Sequence, residues 1–328
     1  MLTLTSPVLS TDESSRWIIT RAQHPATTVG SIQRHTYDLT ALRNGAYDPT
    51  TRVVVGQNTN GHAQRIERAT LTPDGPGTIS ISVHHDGQLT THTWGAGGAW
   101  LSARAHRLAA RAMPTQPVTA EHPSVDRAQH TLGLLHLPAS DTPYHELLPA
   151  ILGQRITAAQ ASAQWRGLCA RFGEPAPGPL GLQLPPHPER LLRIASWEFH
   201  HLGIEAQRAK ALRTAARHAV FIDRTRDVGG CDARARLMQL PGIGVWTAAV
   251  AVGVSHGDPD ALPIGDFHVK NTVAWALLGQ PRGSDDEMLA TLAPYAGQRW
   301  QVVRMLELCG SSAPRFAPKR RILNIAKL

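Results

Sequence analysis

A glycine-rich turn and one aspartate are the residues whose types and spacing could do chemistry. The turn is the segment LPGIG at 240–244, an apolar stretch follows from about Trp246 to Val254, and then comes Asp266. A helix that starts after such a turn presents free N–H groups to an anion. A carboxylate at a fixed distance could stabilise positive charge on a sugar while its bond to a base breaks. The pairing indicates an enzyme that holds a nucleic-acid strand and acts on a nucleotide.

Within the turn, Gly242 and Gly244 flank Ile243. Glycine adopts left-handed angles and lets the backbone come close to a ligand. We therefore expect backbone contacts to a phosphate, which would not depend on base sequence, with Ile243 packed inward. The alternative is an ordinary turn between two helices.

The bulk composition agrees with a polyanionic partner. The chain has 33 Lys and Arg against 25 Asp and Glu, a formal net charge of +8, and such a surplus favours phosphates, although it can also serve solubility. Three cysteines lie far apart and form neither a disulfide framework nor a metal clip, and the 17 histidines show no metal-ligand spacing. With no signal peptide and no membrane-spanning apolar run, we expect a soluble, cytoplasmic protein.

The chain divides into two parts by pattern. Short β-branched and aromatic runs fill 15–94, a helical stripe with Arg104, Arg107 and Arg111 on one side occupies 97–112, and the segment 113–126 contains three prolines. Those arginines fit a solvated helix face better than a phosphate-binding ridge. Helical periodicity dominates beyond that segment. We predict a β-rich α+β domain over 1–114 and a helical domain over 115–328 that ends in a basic tail at 314–328.

Three segments carry a family resemblance. LPGIGVWTA at 240–248 resembles the hairpin of the helix-hairpin-helix (HhH-GPD) DNA glycosylases, most closely the 3-methyladenine DNA glycosylase II family. ELLPAILGQRIT at 146–157 and LGIEAQRAKALRTAA at 202–216 are similar to further segments of that family, and the similarity extends over about 126–310. The resemblance implies a mainly α fold, in which a helix-hairpin-helix glycosylase core follows a smaller β-rich α+β N-terminal domain.

The resemblance also implies an activity. We expect a monofunctional glycosylase that flips a nucleotide out of duplex DNA and hydrolyses the N-glycosidic bond of alkylated purines, of the 3-methyladenine and 7-methylguanine type, in base excision repair. Lyases of the superfamily carry a lysine where this chain has Trp246, so no Schiff-base nucleophile is expected. Three scattered cysteines cannot build an iron–sulfur cluster, and no cofactor is expected; the resemblance implies that the hairpin could hold a monovalent cation. The expected partner is damaged double-stranded DNA, bound by a nucleoid-associated monomer.

The resemblance assigns roles to individual positions, with Asp266 as the catalytic carboxylate. We expect the damaged base to lie against Trp246 and Phe267 and beside Val250, which stands where the family often has a second aromatic residue. Gln154 is expected to bond either the helix framework or the orphaned base. The resemblance places DNA contacts at Gly242, Ile243, Gly244, Thr247, Lys270 and Arg155, and Arg155 occupies the position of the side chain that fills the gap left by a flipped nucleotide. Core packing is the alternative for Trp246, a surface lysine for Lys270 and a helix-side threonine for Thr247.

Two other functions stay open. The same chemistry could act on deaminated or oxidised bases, because Val250 and Arg155 depart from the family pattern. Alternatively, the hairpin could belong to a non-catalytic protein that binds DNA structure, since many hairpin modules only hold the backbone. Loss of Asp266 would then change nothing.

Overall fold

The structure is a computed structural model that describes residues 20–22, 35–55, 63–84, 88–111, 116–119 and 121–314. The predicted basic tail lies outside the described residues from position 315 onward.

The N-terminal part is built on an antiparallel sheet of five strands in the order β1-β6-β5-β4-β3. Alternation along β5 turns Ile79 and Ile81 inward, where they pack with Ile66 of β4. A parallel pair, β2 with β7, forms a second sheet. These findings confirm a β-rich part ahead of the helical core. The strands are β1 Thr20–Ala22, β2 His35–Tyr37, β3 Thr51–Val55, β4 Ala63–Thr72, β5 Gly75–Val83, β6 Leu89–Trp94 and β7 Leu134–His136.

The single helix predicted over 97–112 is two short helices, α1 Gly98–Ser102 and α2 Ala105–Leu108. Arg104 and Arg107 both reach the buried carboxylate of Asp141, at 3.5 and 2.7 Å. These arginines are therefore held by an ion pair with the helical part of the molecule. The expectation that they form a solvated helix face was wrong.

The remaining helices agree closely with the predicted helical periodicity. Helix α3 begins at Pro123, inside the proline-rich segment, because proline is tolerated in the first turn, where the N–H has no intrahelical partner. The helices are α3 Pro123–Leu132, α4 Pro143–Leu152, α5 Ala158–Phe172, α6 Pro188–Arg193, α7 Ser196–His201, α8 Ala206–Arg217, α9 Ala219–Asp223, α10 Gly230–Leu237, α11 Val245–Ser255, α12 Phe267–Val273, α13 Asp285–Leu292 and α14 Arg299–Leu308. The division into domains at 114/115 stays a prediction.

Helices α4 and α11 form the centre of the helical part. All ten residues of α4 are buried, and α11 buries alanine, valine and glycine along most of its length. A helix that is apolar on every side belongs in an interior, and small side chains let the two helices pack closely. This packing brings the end of α4 near the start of α11, and the candidate site lies there.

The sheet and the helical part are joined by a buried ion pair. The guanidinium of Arg68 on β4 lies 2.5 Å from the carboxylate of Glu146 on α4, and their side chains are 0% and 4% exposed. Arg68 also donates to the Thr142 hydroxyl at 3.1 Å, just before α4 begins. The sheet therefore holds the first turn of the helix whose far end reaches the candidate site.

Candidate active site

Asp266 stands immediately before α12 and is half-buried. Its Oδ1 accepts hydrogen bonds from the backbone N–H groups of His268 at 2.7 Å and Val269 at 3.1 Å, so it caps the helix. Its Oδ2 accepts a third bond, 2.8 Å long, from the indole Nε1–H of Trp246. Three donors thus fix both oxygens of the carboxylate while part of the residue stays open to solvent.

Trp246 is the second residue of α11 and is half-buried. Gly153, just after α4, leaves room for its ring, because a Cβ at that glycine would lie 3.0 Å from the Cη2 of Trp246. The indole has one hydrogen-bond donor, and Asp266 uses it. Trp246 can therefore meet a base only through its ring carbons.

The hairpin that joins α10 to α11 adopts the predicted glycine conformation. Gly242 has φ +88°, and a Cβ there would come within 3.0 Å of the Ala211 side chain. Gly244 caps α11 without a side chain, and no atom lies within 4 Å of the position a Cβ would take. Ile243 packs inward at 4% exposure. The first turn of α11 therefore opens at the surface with free N–H groups, as a phosphate contact requires. A cation at this turn stays a prediction.

Gln154 and Thr247 form a clamp between α4 and the hairpin. The Gln154 amide Nε2 donates to the carbonyl oxygen of Gly242 at 3.0 Å and to the Thr247 hydroxyl at 2.9 Å. Thr247 is only 2% exposed, so its side chain does not face a phosphate, as had been expected, but packs inside. Both N–H groups of Gln154 therefore bond the helix framework, one of the two roles expected for it, and its amide oxygen is the group left to face a base.

Arg208 is a site residue to which the sequence assigned no role. It lies on α8 at 3% exposure and donates to the Leu152 carbonyl at 2.9 Å and to the Gln164 amide oxygen at 2.7 Å. The last carbonyls of a helix lack intrahelical partners, so Arg208 satisfies the end of α4. The position of Arg208 within the family-like segment LGIEAQRAKALRTAA at 202–216 was the available signal for this role.

Arg155 follows Gln154 and is exposed. Its backbone has φ +59°, a left-handed conformation that costs a residue with a Cβ about 1–2 kcal/mol. Such conformations concentrate at binding sites, where the surrounding structure holds them. The position presents a long cationic side chain outward, beyond the clamp.

The surface beside Asp266 has a different cation from the predicted one. Lys270 lies 3.2 Å from the Asp285 carboxylate and is therefore neutralised within the protein. Phe267, in contrast, is 56% exposed, and the exposed guanidinium of Arg282 lies 5.2 Å from its ring centroid. Arg282 and Phe267 form an aromatic and cationic surface next to the carboxylate.

Two further features complete the surroundings. Val250 is half-buried and packs against the core around α4 and α11. On α14, Glu307 pairs with Arg304 at 2.5 Å, and Arg304 pairs with Asp38 at 2.8 Å. Burial raises the pKa of Glu307; Arg304 lowers it, and the charges of Asp38 and Asp266 raise it further. A second carboxyl group therefore stands close enough to Asp266 to interact with its charge.

Two features are absent from the described part of the chain. No group of three or more His, Cys, Asp or Glu side chains there is placed to hold a metal ion. None of the helices described has both the length and the apolar composition needed to cross a bilayer.

Comparisons with known proteins agree with this geometry. The family model described as "HhH-GPD superfamily base excision DNA repair protein" matches residues 148–295. A "Probable bifunctional transcriptional activator/DNA repair enzyme AlkA" of Mycobacterium tuberculosis (strain CDC 1551 / Oshkosh) is 31% identical over 136 residues, 40% of this chain and 26% of the relative. The chain thus matches about a quarter of the length of that curated relative.

Solved structures share the fold. A 3-methyladenine DNA glycosylase from Archaeoglobus fulgidus superimposes with a TM-score of 0.65 at 16% identity, over 85% of this chain and 97% of that one. An 8-oxoguanine glycosylase/lyase from Clostridium acetobutylicum, bound to double-stranded DNA containing cytosine opposite 8-oxoguanine, has a TM-score of 0.55 at 12% identity and covers 84% and 92%. At these identities the likeness establishes the fold alone, and it extends through the N-terminal part.

Proposed function

The model of the HhH-GPD superfamily matches residues 148–295, and from that match we propose that the protein is a DNA glycosylase of base excision repair. Its substrates are alkylated purines of the 3-methyladenine and 7-methylguanine type in duplex DNA. The observation that carries the proposal is the Asp266 carboxylate, held by three donors and still partly open beside the hairpin. The likeness in fold to a 3-methyladenine DNA glycosylase supports the choice of lesion.

The geometry suits the chemistry of base release. As the bond between C1′ and the base nitrogen breaks, its electron pair leaves with the base and positive charge builds on the sugar. A fixed carboxylate stabilises that charge without reorganising during the reaction. Water then bonds to C1′ through its oxygen and loses a proton, which Asp266 can accept. An alkylated base already carries positive charge, so it departs without a strong acid beside it.

DNA binding is divided among three elements in this proposal. The open first turn of α11 at Gly244 holds a phosphate through backbone N–H groups. Arg155 projects from the end of α4 and fills the space that the flipped nucleotide leaves, or holds a phosphate beside it. Arg282, with Phe267, adds positive charge and a stacking surface next to Asp266.

We propose hydrolysis without a lyase step, because Trp246 stands at the position of the lyase lysine and its N–H is bound to Asp266. The nearby Lys270 is engaged by Asp285. Incubation with abasic-site DNA and borohydride should leave no covalent complex. A trapped complex that disappears in Lys270→Ala would contradict this part of the proposal.

Excision from randomly methylated duplex DNA tests the main proposal. We expect wild-type protein to release methylated purines, and Asp266→Asn to reduce the rate by about 100-fold or more while DNA binding is kept. Asparagine also caps helices well, so the fold should persist. Asp126→Asn, which changes an exposed carboxylate in the first turn of α3, is the matched control. An unchanged rate in Asp266→Asn would refute the catalytic role.

Experiments on the same protein distinguish the alternative lesions from the non-catalytic function. Val250 stands where the family often has a second aromatic residue. The test should therefore include deaminated and oxidised bases. A panel of oligonucleotides, each with one lesion, shows which base is released. Binding of DNA without release of any base, identical in wild type and Asp266→Asn, would favour the non-catalytic function.

A further inference from the structure

The two halves of the candidate site belong to two separate hydrophobic clusters. The hairpin residue Ile243 packs in the cluster around α4, α8 and α11. Val269 and Val273 of α12, which carries Asp266 at its start, pack with α14 and α3 in the other. Packing within one cluster therefore does not set the position of the carboxylate relative to the hairpin.

One side chain ties these halves together by a hydrogen bond. Trp246 sits two residues after Gly244, within the turn proposed to hold the phosphate, and its indole N–H reaches Oδ2 of Asp266 at 2.8 Å. We propose that Trp246 is a positioning residue, which orients the catalytic carboxylate relative to the bound strand. This inference rests on the proposed glycosylase function, and it assigns Trp246 a role distinct from base stacking.

The bonds of Asp266 show why the indole is needed. The two backbone N–H groups of α12 both bind Oδ1, which leaves the carboxylate able to pivot about that oxygen. The Trp246 donor on Oδ2 fixes the remaining rotation. A carboxylate that can turn toward solvent stabilises a developing charge less well than one held in place.

The surroundings of Trp246 are built to hold the ring in that position. Gly153 provides space for the ring at Cη2. Gln154 fastens the first turn of α11 to the end of α4 through Thr247 and the Gly242 carbonyl. Arg208 in turn holds the Leu152 carbonyl one residue before Gly153. The indole is thus supported from α4 while it donates to Asp266.

The decisive test removes the N–H and keeps the ring. Site-specific replacement of Trp246 by β-(3-benzothienyl)alanine puts sulfur where the N–H stands, so the ring surface is preserved. A hydrogen bond to a charged group has a strength that corresponds to about a 10- to 100-fold loss in kcat. We expect that loss on methylated duplex DNA, with KM and the affinity for abasic-site DNA unchanged.

The outcomes separate positioning from stacking. If Trp246 only stacks on the base, the isostere keeps the wild-type kcat, and that result overturns the proposal. Trp246→Phe, which lacks the N–H as well, should lose kcat at least as strongly. Trp197→Phe is the control, because Trp197 is 59% exposed on α7 and takes no part in the site, and it should behave as wild type.

A spectroscopic measurement tests the hydrogen bond without any activity. In ¹⁵N-labelled protein, the indole resonance that disappears in Trp246→Phe belongs to Trp246. We expect Asp266→Asn to shift that resonance and Asp126→Asn to leave it in place. An unshifted resonance overturns the positioning role. If instead the resonance shifts but wild-type protein releases no base from any lesion panel, the glycosylase function fails while the contact stands.

Discussion

The buried ion pair between the sheet and α4 should make a measurable contribution to the free energy of unfolding. Changing Arg68 to methionine leaves the Glu146 carboxylate at 4% exposure with no cation opposite it. Removing one partner of a buried pair costs about 3–5 kcal/mol. With a urea m-value of about 3 kcal/mol/M, the unfolding midpoint should fall by about 1 M or more. We expect this loss in urea titrations at pH 7.

Two further variants serve as controls for that prediction. Arg65→Met, on the same strand but 50% exposed opposite Glu67, should cost less than about 1 kcal/mol. Adding Glu146→Leu to Arg68→Met should restore most of the stability, since no buried charge remains. A free energy of unfolding for Arg68→Met within about 1 kcal/mol of wild type would refute the reasoning.

The pH dependence has a definite sign. Burial raises the pKa of Glu146, and Arg68 opposes that effect. Without Arg68 the folded-state pKa of Glu146 rises further above its unfolded value, so the folded protein binds the proton more readily than the unfolded chain. The destabilisation should therefore be largest at neutral pH and shrink as pH falls toward 5. A loss independent of pH would point to packing instead of charge.

Three further predictions concern the DNA surface and the strand pair β2–β7. Arg155→Gly relieves the left-handed backbone at φ +59°, so the free energy of unfolding should stay equal or rise by up to about 1 kcal/mol. Base release should slow in the same variant. A loss of stability would contradict the strain argument. Arg282→Ala should weaken DNA binding and lower the slope of log K against log salt by about 1, whereas Lys270→Ala, already paired, should change it less; equal slopes would contradict this difference. Burial, and then the charges of His35 and Arg111, lower the pKa of His136 to about 4. The wild-type protein should therefore lose stability as pH falls from about 6.5 toward 4. In urea titrations, His136→Gln should lose less stability over that range.

Turns, caps and helix starts near the site could be predicted where they depend on residues close together in the sequence. Helix α11 begins after Gly244, as the glycine-rich turn and the apolar stretch that follows it indicated. Asp266 caps α12 through Oδ1, which follows from an aspartate before a helical run. The helix predicted over 97–112 is divided in two, and the pairing of Arg104 and Arg107 with Asp141 could not be predicted because Asp141 lies outside that segment.

The sequence by itself determined the turn, the capping aspartate and the helical core, because backbone angles, caps and periodicity depend on residues a few positions apart. Only the tertiary structure decided which side chains work together. Trp246 and Asp266 are 20 positions apart, and Gln154 and Thr247 are 93 apart. It also turned Thr247 inward and exposed Arg282 in place of a neutralised Lys270. Such partners meet because separate helices pack at particular angles and depths. A local sequence pattern does not specify that packing.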